Sequence, residues 1–234
     1  MAPSPSPEHL GEADGQLLLD LAEWSIHTAL RPSGADRAAP PAPPTPPDHL
    51  HAPHGAFVTL TVDGRLNGCI GAIETPEPLP ACIARLARAA AFDDPRLPPL
   101  RREDLPALAI EVSILSPLEP IEAGSRAEVL GSVEPHVHGL QIEAERRRGV
   151  FLPDVWAQLP DPDDFLDHLL AKAGLHPRTW PAGLRAHRFA TTAFVRAPRP
   201  DAALTARARP HGSTPGPGAP PDPRPAPRAG GRRG

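Results

Sequence analysis

The chain reads as an α+β fold with a mixed or antiparallel sheet, because hairpin signals and amphipathic helices interleave without regular βαβ units. Three observations carry that reading. Asp63-Gly64 separates two β-rich runs, GAFVTLTV and RLNGCIGAI, and Asp-Gly in that setting is the strongest short-range hairpin signal. LAIEVSIL at 108–115 alternates, with Ile110, Val112 and Ile114 on one face and Ala109, Glu111 and Ser113 on the other, as a strand with one buried face must. PLPACIARLARAAAF at 78–92 places Leu79, Ile83, Leu86 and Ala90 on one side of a helix and Arg85 and Arg88 toward the other.

The remaining elements follow in order. DGQLLLDLAEWSIHTAL at 14–30 predicts a helix in which Leu17, Leu18, Leu21, Ala22 and Trp24 recur at helical spacing, ended by Arg31-Pro32. Asp93-Asp94-Pro95 closes the helix of 78–92. A short helix is expected near Arg126–Leu130. GLQIEAE and RGVFLP flank ERRR and suggest a second hairpin whose turn, 146–149, is basic and solvated. DVWAQL and PDDFLDHLLAKAGL make one or two helices, with Asp161 able to cap the start and Gly174 the end. AHRFATTAFVRA at 186–197 reads as one last strand.

Composition bounds the function. The 234 residues suffice for one substantial core or two small ones. The 36 prolines are unevenly placed, and 21 of them crowd residues 1–9, 32–53 and 197–234. Those stretches lack the apolar content that would offset the entropy of ordering them, so a flexible N-terminus, a Pro-rich loop and a disordered, Arg-bearing tail are expected around a domain at 10–196. A net charge of −4 gives no whole-chain reason to bind nucleic acid or an anionic membrane. Cys69 and Cys82 make no disulfide framework, no apolar run approaches a bilayer span, and the N-terminus lacks signal-peptide character. A cytoplasmic protein is expected.

At GAFVTLTVDGRLNGCIGAIETPEPL the chain resembles the AMMECR domain, whose strand–turn–strand carries a Leu-Arg-Gly-Cys-Ile-Gly motif. The resemblance continues through AAAFDDPRLPPLRREDL, LAIEVSILSPLEPI, HGLQIEAERRRGVFLPDVWAQLPDPDDFLDHLLAKAGL and RFATTAFV. It implies an α+β fold of two unequal lobes, with Gly68-Cys69-Ile70-Gly71 near the groove between them. It also implies company, since such proteins are often encoded beside Memo-type and radical-SAM proteins in the AmmeMemoRadiSam grouping. Asn67 stands where the family usually has arginine, which removes a bidentate donor for any anion.

Several side chains could carry chemistry. Cys69 lies on a strand between glycines that let another group approach closely, and strand alternation places it with Asn67 and Gly71, opposite Leu66 and Ile70. It is either a thiolate nucleophile or a small packed hydrophobe. Cys82, on the apolar helix, reads as packing. Glu111 is a candidate general base or ligand-binding acid, or else an ion-pair partner of Arg65 or Arg96. Arg96 is a ligand clamp or a loop-pinning group. Phe151, Leu152, Pro153 and Trp156 suggest packing between lobes. His49, His51 and His54, and His136 and His138 on a strand face, lack the convergent ligands of a metal site, so neither metal nor cofactor is expected.

Two functions compete. A binding or accessory protein would receive a small molecule or peptide in a groove formed by Asn67, Gly68, Ile70, Gly71 and Arg96. A cysteine-dependent transferase or hydrolase would use Cys69 as nucleophile, assisted by Glu111 or His54.

Overall fold

The computed structural model describes residues 10–31, 42–144, 146–177 and 180–199. The expected flexible N-terminus, the first part of the Pro-rich loop and almost all of the tail lie outside those residues. From residue 42 onward the Pro-rich loop is anchored on the helical side. Leu50, in a 3₁₀ turn at Asp48–His51, is buried in the first core, and the His49 ring meets Asp14 at 2.8 Å.

Two four-stranded antiparallel sheets organise the domain. The first, in spatial order β2-β1-β3-β8, joins β1 (Ala56–Val62), β2 (Arg65–Ala72), β3 (Leu108–Leu115) and β8 (Thr191–Arg196). Helix α1 (Glu12–Ala29) lies over β3 and β8, and α2 (Leu79–Phe92) over β1 and β2. Val58, Leu60, Ile110, Val112, Ile114 and Phe194 face these helices and form the larger core with Leu18, Ile26, Ile83 and Leu86. The second sheet, β4-β7-β5-β6, joins β4 (Glu119–Ile121), β5 (Gly139–Ala144), β6 (Arg147–Phe151) and β7 (Arg185–Phe189). It forms the smaller core with α3 (Arg126–Gly131) and α4 (Pro162–Lys172). The α+β class and the two unequal lobes are therefore as expected.

The expected boundaries agree with this structure at most elements. The Asp63-Gly64 turn has positive φ at both residues, 50° and 73°, which matches the twist of the flanking strands. Asp161 caps α4 by accepting from the N–H groups of Asp163 and Asp164.

Four readings need correction. The run 186–197 is not one strand. It changes sheets at Ala190, where Ser116 N–H donates to the Ala190 carbonyl at 2.9 Å and Ala190 N–H donates to Ser116 Oγ at 2.9 Å. The basic run 146–149 is not all turn, because Arg147 and Arg148 are strand residues of β6. Arg148 bridges Glu143 and Glu74, both at 2.9 Å, and so ties β6 to the segment that follows β2. His136 and His138 occupy a turn before β5 rather than a strand face. Trp156 does not join the lobes. It stacks on Phe165 of α4 with ring centroids 3.7 Å apart inside the second core, and its Nε1–H donates to the His138 carbonyl.

Helix α2 and strand β2 meet backbone to backbone at Gly68, where an ideal Cβ would stand 1.9 Å from the Ala90 carbonyl oxygen. No flexible side chain is there to yield. Gly68→Ala is expected to cost about 1–3 kcal/mol of stability, read as a lower urea midpoint with an unchanged slope.

Candidate functional site

Register brings the two candidate reactive groups into one row. Thr59 pairs with Cys69 on one side and with Glu111 on the other, and Glu111 pairs with Val195. Cys69, Thr59, Glu111 and Val195 therefore lie side by side on the face of the first sheet opposite α1 and α2. Two strand spacings separate Cys69 from Glu111, roughly 10 Å. Gly71, Phe57, Ser113 and Ala193 form the adjacent row.

A β-bulge alters the expected faces of β2. Leu60 pairs with Gly68 but Thr61 pairs with Leu66, so Asn67 is the extra residue. The bulge turns Leu66 onto the same open face as Cys69, where it is 49% exposed. Strict alternation had put Leu66 opposite Cys69. Asn67 itself reaches away from the row, its amide donating to the Pro98 carbonyl at 3.4 Å. Ile70 packs against the first core. The Phe57 ring lies where a side chain at Gly71 would stand, so that glycine seats an aromatic ring.

Cys69 is held chiefly through its backbone. Its N–H donates to Asp94 Oδ2 at 3.0 Å, and its carbonyl accepts from Arg96 Nη2 at 2.8 Å. Arg96 also grips both Asp94 oxygens through Nε and Nη2, at 2.9 and 2.7 Å. Its guanidinium hydrogen bonds, joined by the Cys69 N–H, hold the Asp94 carboxyl far below the usual carboxylate range. The unit works as a clamp on the outer edge of β2, satisfying polar groups that an edge strand would otherwise leave open.

The Cys69 sulfur, half-buried, accepts from the Thr59 hydroxyl at 3.3 Å. Glu111 is half-buried and takes a hydrogen bond from Ser113 at 3.1 Å. Among the described residues, neither Arg65 nor Arg96 pairs with it. The structure thus collects Cys69, Glu111 and Gly71 on one face. Arg96 is committed to the clamp, Gly68 to α2 and Asn67 to the bulge. Sequence reasoning missed Thr59 and Asp94, although Thr59 follows from register once the hairpin and β3 are paired.

Beyond the end of β2 a cleft of about 410 Å³ opens where the sheets meet, lined by His54, Gly55, Ile73, Glu74, Leu115 and Ser116 among others. His54 is 8% exposed. Burial pushes its imidazole below the ordinary value, partly offset by a hydrogen bond to the Leu115 backbone. Among the described residues no three histidine, cysteine or carboxylate groups converge as metal ligands, and no helix is long and apolar enough to cross a membrane.

The sequence profile of the AMMECR1 family matches residues 19–194. The chain belongs to the AMMECR1 family. A protein of Methanothermobacter thermautotrophicus is 37% identical over 169 residues, which span 72% of this chain and 86% of that relative. A protein of Methanosarcina acetivorans is 37% identical over 184 residues, 77% and 90% of the two chains. The crystal structure of an uncharacterized protein from Pyrococcus horikoshii superposes with a TM-score of 0.67 at 32% identity, covering 79% of this chain and 92% of that one. The AMMECR1 match thus takes in the clamp, the second sheet, the first sheet as far as Phe194, and the row except Val195.

Two outcomes test this geometry. Native protein treated with iodoacetamide should gain a single adduct, at Cys69. Cys82, with no exposed surface and a thiol pushed up by burial, should react only on unfolding; a native double adduct would contradict the packing of α2. For His54 the folded state binds the proton less readily than the unfolded chain does. Stability should therefore fall as pH drops below about 6.5. Urea midpoints at pH about 7 and about 5 should differ less in His54→Gln than in the wild-type protein.

Proposed function

We propose that this AMMECR1-family chain is a cytoplasmic binding or accessory protein acting with Memo-type and radical-SAM partners. The open face of its first sheet, at the Gly68-Cys69-Ile70-Gly71 segment, is the surface that receives a small molecule or a peptide. One observation carries the reading. Cys69 shares an accessible row with Thr59 and Glu111, yet among the described residues no base reaches its sulfur, which accepts from the Thr59 hydroxyl beside the Arg96 guanidinium. A nucleophile needs a base or a strong local cation to form its thiolate, and the nearest guanidinium, Arg96, is spent on Asp94 and the Cys69 carbonyl. What the face offers is recognition chemistry: a thiol, hydroxyls and a carboxylate, flanked by Leu66 and Val195, exposed to 49% and 61%. Exposed apolar groups beside a few fixed polar ones suit a contact surface.

The test uses the full chain with purified Memo-type and radical-SAM proteins of the same genome. Val195→Asp and Leu66→Asp alter exposed positions and should leave the fold intact by circular dichroism. At least a ~tenfold loss of affinity for a partner is expected from either. Unchanged affinity in both variants would remove the open face from the interaction. Turnover of an electrophilic substrate that disappears in Cys69→Ser would instead favour a cysteine-dependent transferase or hydrolase.

A further inference from the structure

A cavity on the helical side of the first sheet lies away from the Cys69 row. It measures about 600 Å³ and runs along the C-terminal half of α1, facing the 3₁₀ turn at Arg102–Ala107. Because α1 covers the opposite face of the first sheet, this cavity is separate from the open face. Its volume is in the range of pockets that enclose small molecules, ~300–1000 Å³.

The lining divides into an apolar part and a charged rim. Trp24 is only half-buried, although its spacing in α1 resembles that of a core residue. The helix buries Leu18, Leu19, Leu21, Ala22 and Ile26 instead. Trp24 lines the cavity together with Leu30 and Leu105, which rest on the first core from outside. An indole ring beside aliphatic neighbours is a stacking platform for a planar group.

The rim holds Asp20, Glu23, His27, Arg102 and Arg199. Its carboxylates are already engaged. Arg196, 8% exposed, holds Asp20 at 2.7 Å and also bonds Glu23, while Arg199 lies 3.6 Å from Glu23 and His27 lies 3.8 Å from it. Among the described residues, two carboxylates thus stand against three guanidinium groups, those of Arg196, Arg199 and Arg102, even with Arg31 of the lining left out of account. Arg102 is exposed and has no ion pair among the described residues. Arg199 is 69% exposed on the side chain and held at one corner only. The surplus is positive and sits beside the indole.

We propose that this cavity is a binding site for a planar aromatic anion. The ring lies against Trp24, Leu30 and Leu105, and the anionic group meets Arg102 and Arg199, whose forked donors suit carboxylate or phosphate. An aryl carboxylate and a mononucleotide share this chemistry, and titration separates them.

The full chain is titrated with adenosine monophosphate, adenosine, benzoate and inorganic phosphate, with binding read by calorimetry and by tryptophan emission. Trp24→Phe separates the Trp24 signal from those of Trp156 and Trp180. Saturable binding of adenosine monophosphate or benzoate is expected, and whichever binds more tightly names the source. Adenosine and inorganic phosphate, each holding half of the chemistry, should bind at least ~tenfold more weakly than the preferred probe. Arg102→Ala, at an exposed position, should weaken binding about tenfold, and added salt should weaken it further. The emission change should vanish in Trp24→Phe. The proposal is overturned if neither aromatic anion binds saturably, if Arg102→Ala binds as the wild-type protein does, or if adenosine matches its monophosphate.

Discussion

The two lobes are joined by a pair of strands that leave one sheet together and enter the next together. β3 and β8 stay paired as far as Leu115 and Thr191. Ser116 and Ala190 then exchange two hydrogen bonds, and β4 and β7 resume the ladder from Glu119 and Arg188. Pro117 lacks a backbone donor between the two ladders, so pairing breaks there and the ribbon can pass from one sheet to the other. Both cores hang on this crossing. The cleft beside His54 exists because the sheets part at it, and the open face of the first sheet is the side that α1 and α2 leave uncovered.

The edge of the first sheet is finished by a second constraint. β2 is an outer strand carrying a bulge, and the Asp94–Arg96 unit occupies the outward backbone groups of Cys69. A carboxylate and a guanidinium take the place of a neighbouring strand, which fixes the position of Cys69 while leaving its side chain on the open face. The Gly68-Cys69-Ile70-Gly71 segment is thus clamped from behind by the loop after α2 and packed from beneath by the Ala90 carbonyl against Gly68. These contacts account for the glycine before the cysteine. The glycine after it accommodates the Phe57 ring.

Much of this was legible residue by residue. The first hairpin announced itself through Asp63-Gly64, β3 through strict alternation, and α2 and α4 through periodicity and caps, because each signal comes from backbone geometry within a few residues. The candidate site was legible only in part. Cys69 and Glu111 stood out as polar groups on strands, but alternation alone could not show that they share a row, since that depends on which strands pair. Nor could it reveal the bulge at Asn67, which moves Leu66 to the opposite face. The break at Ala190 left no mark in RFATTAFV, a run of good strand formers whose change of sheet is imposed by its neighbour, Ser116-Pro117. Trp24 counted as core by its spacing, yet α1 buries Leu18, Leu21 and Ala22 of that stripe and leaves Trp24 at its margin.

By itself, the sequence determined the α+β class, the elements and most of their ends, because propensity, periodicity and capping act over one or two turns of chain. Its motifs were enough to assign the AMMECR1 family. Tertiary structure alone decided which strands became neighbours, which face of the first sheet stayed open, and what surrounds Cys69. Those outcomes rest on contacts between residues far apart in the chain, as between Cys69 and Asp94 or Arg196 and α1, whose geometry no local pattern encodes.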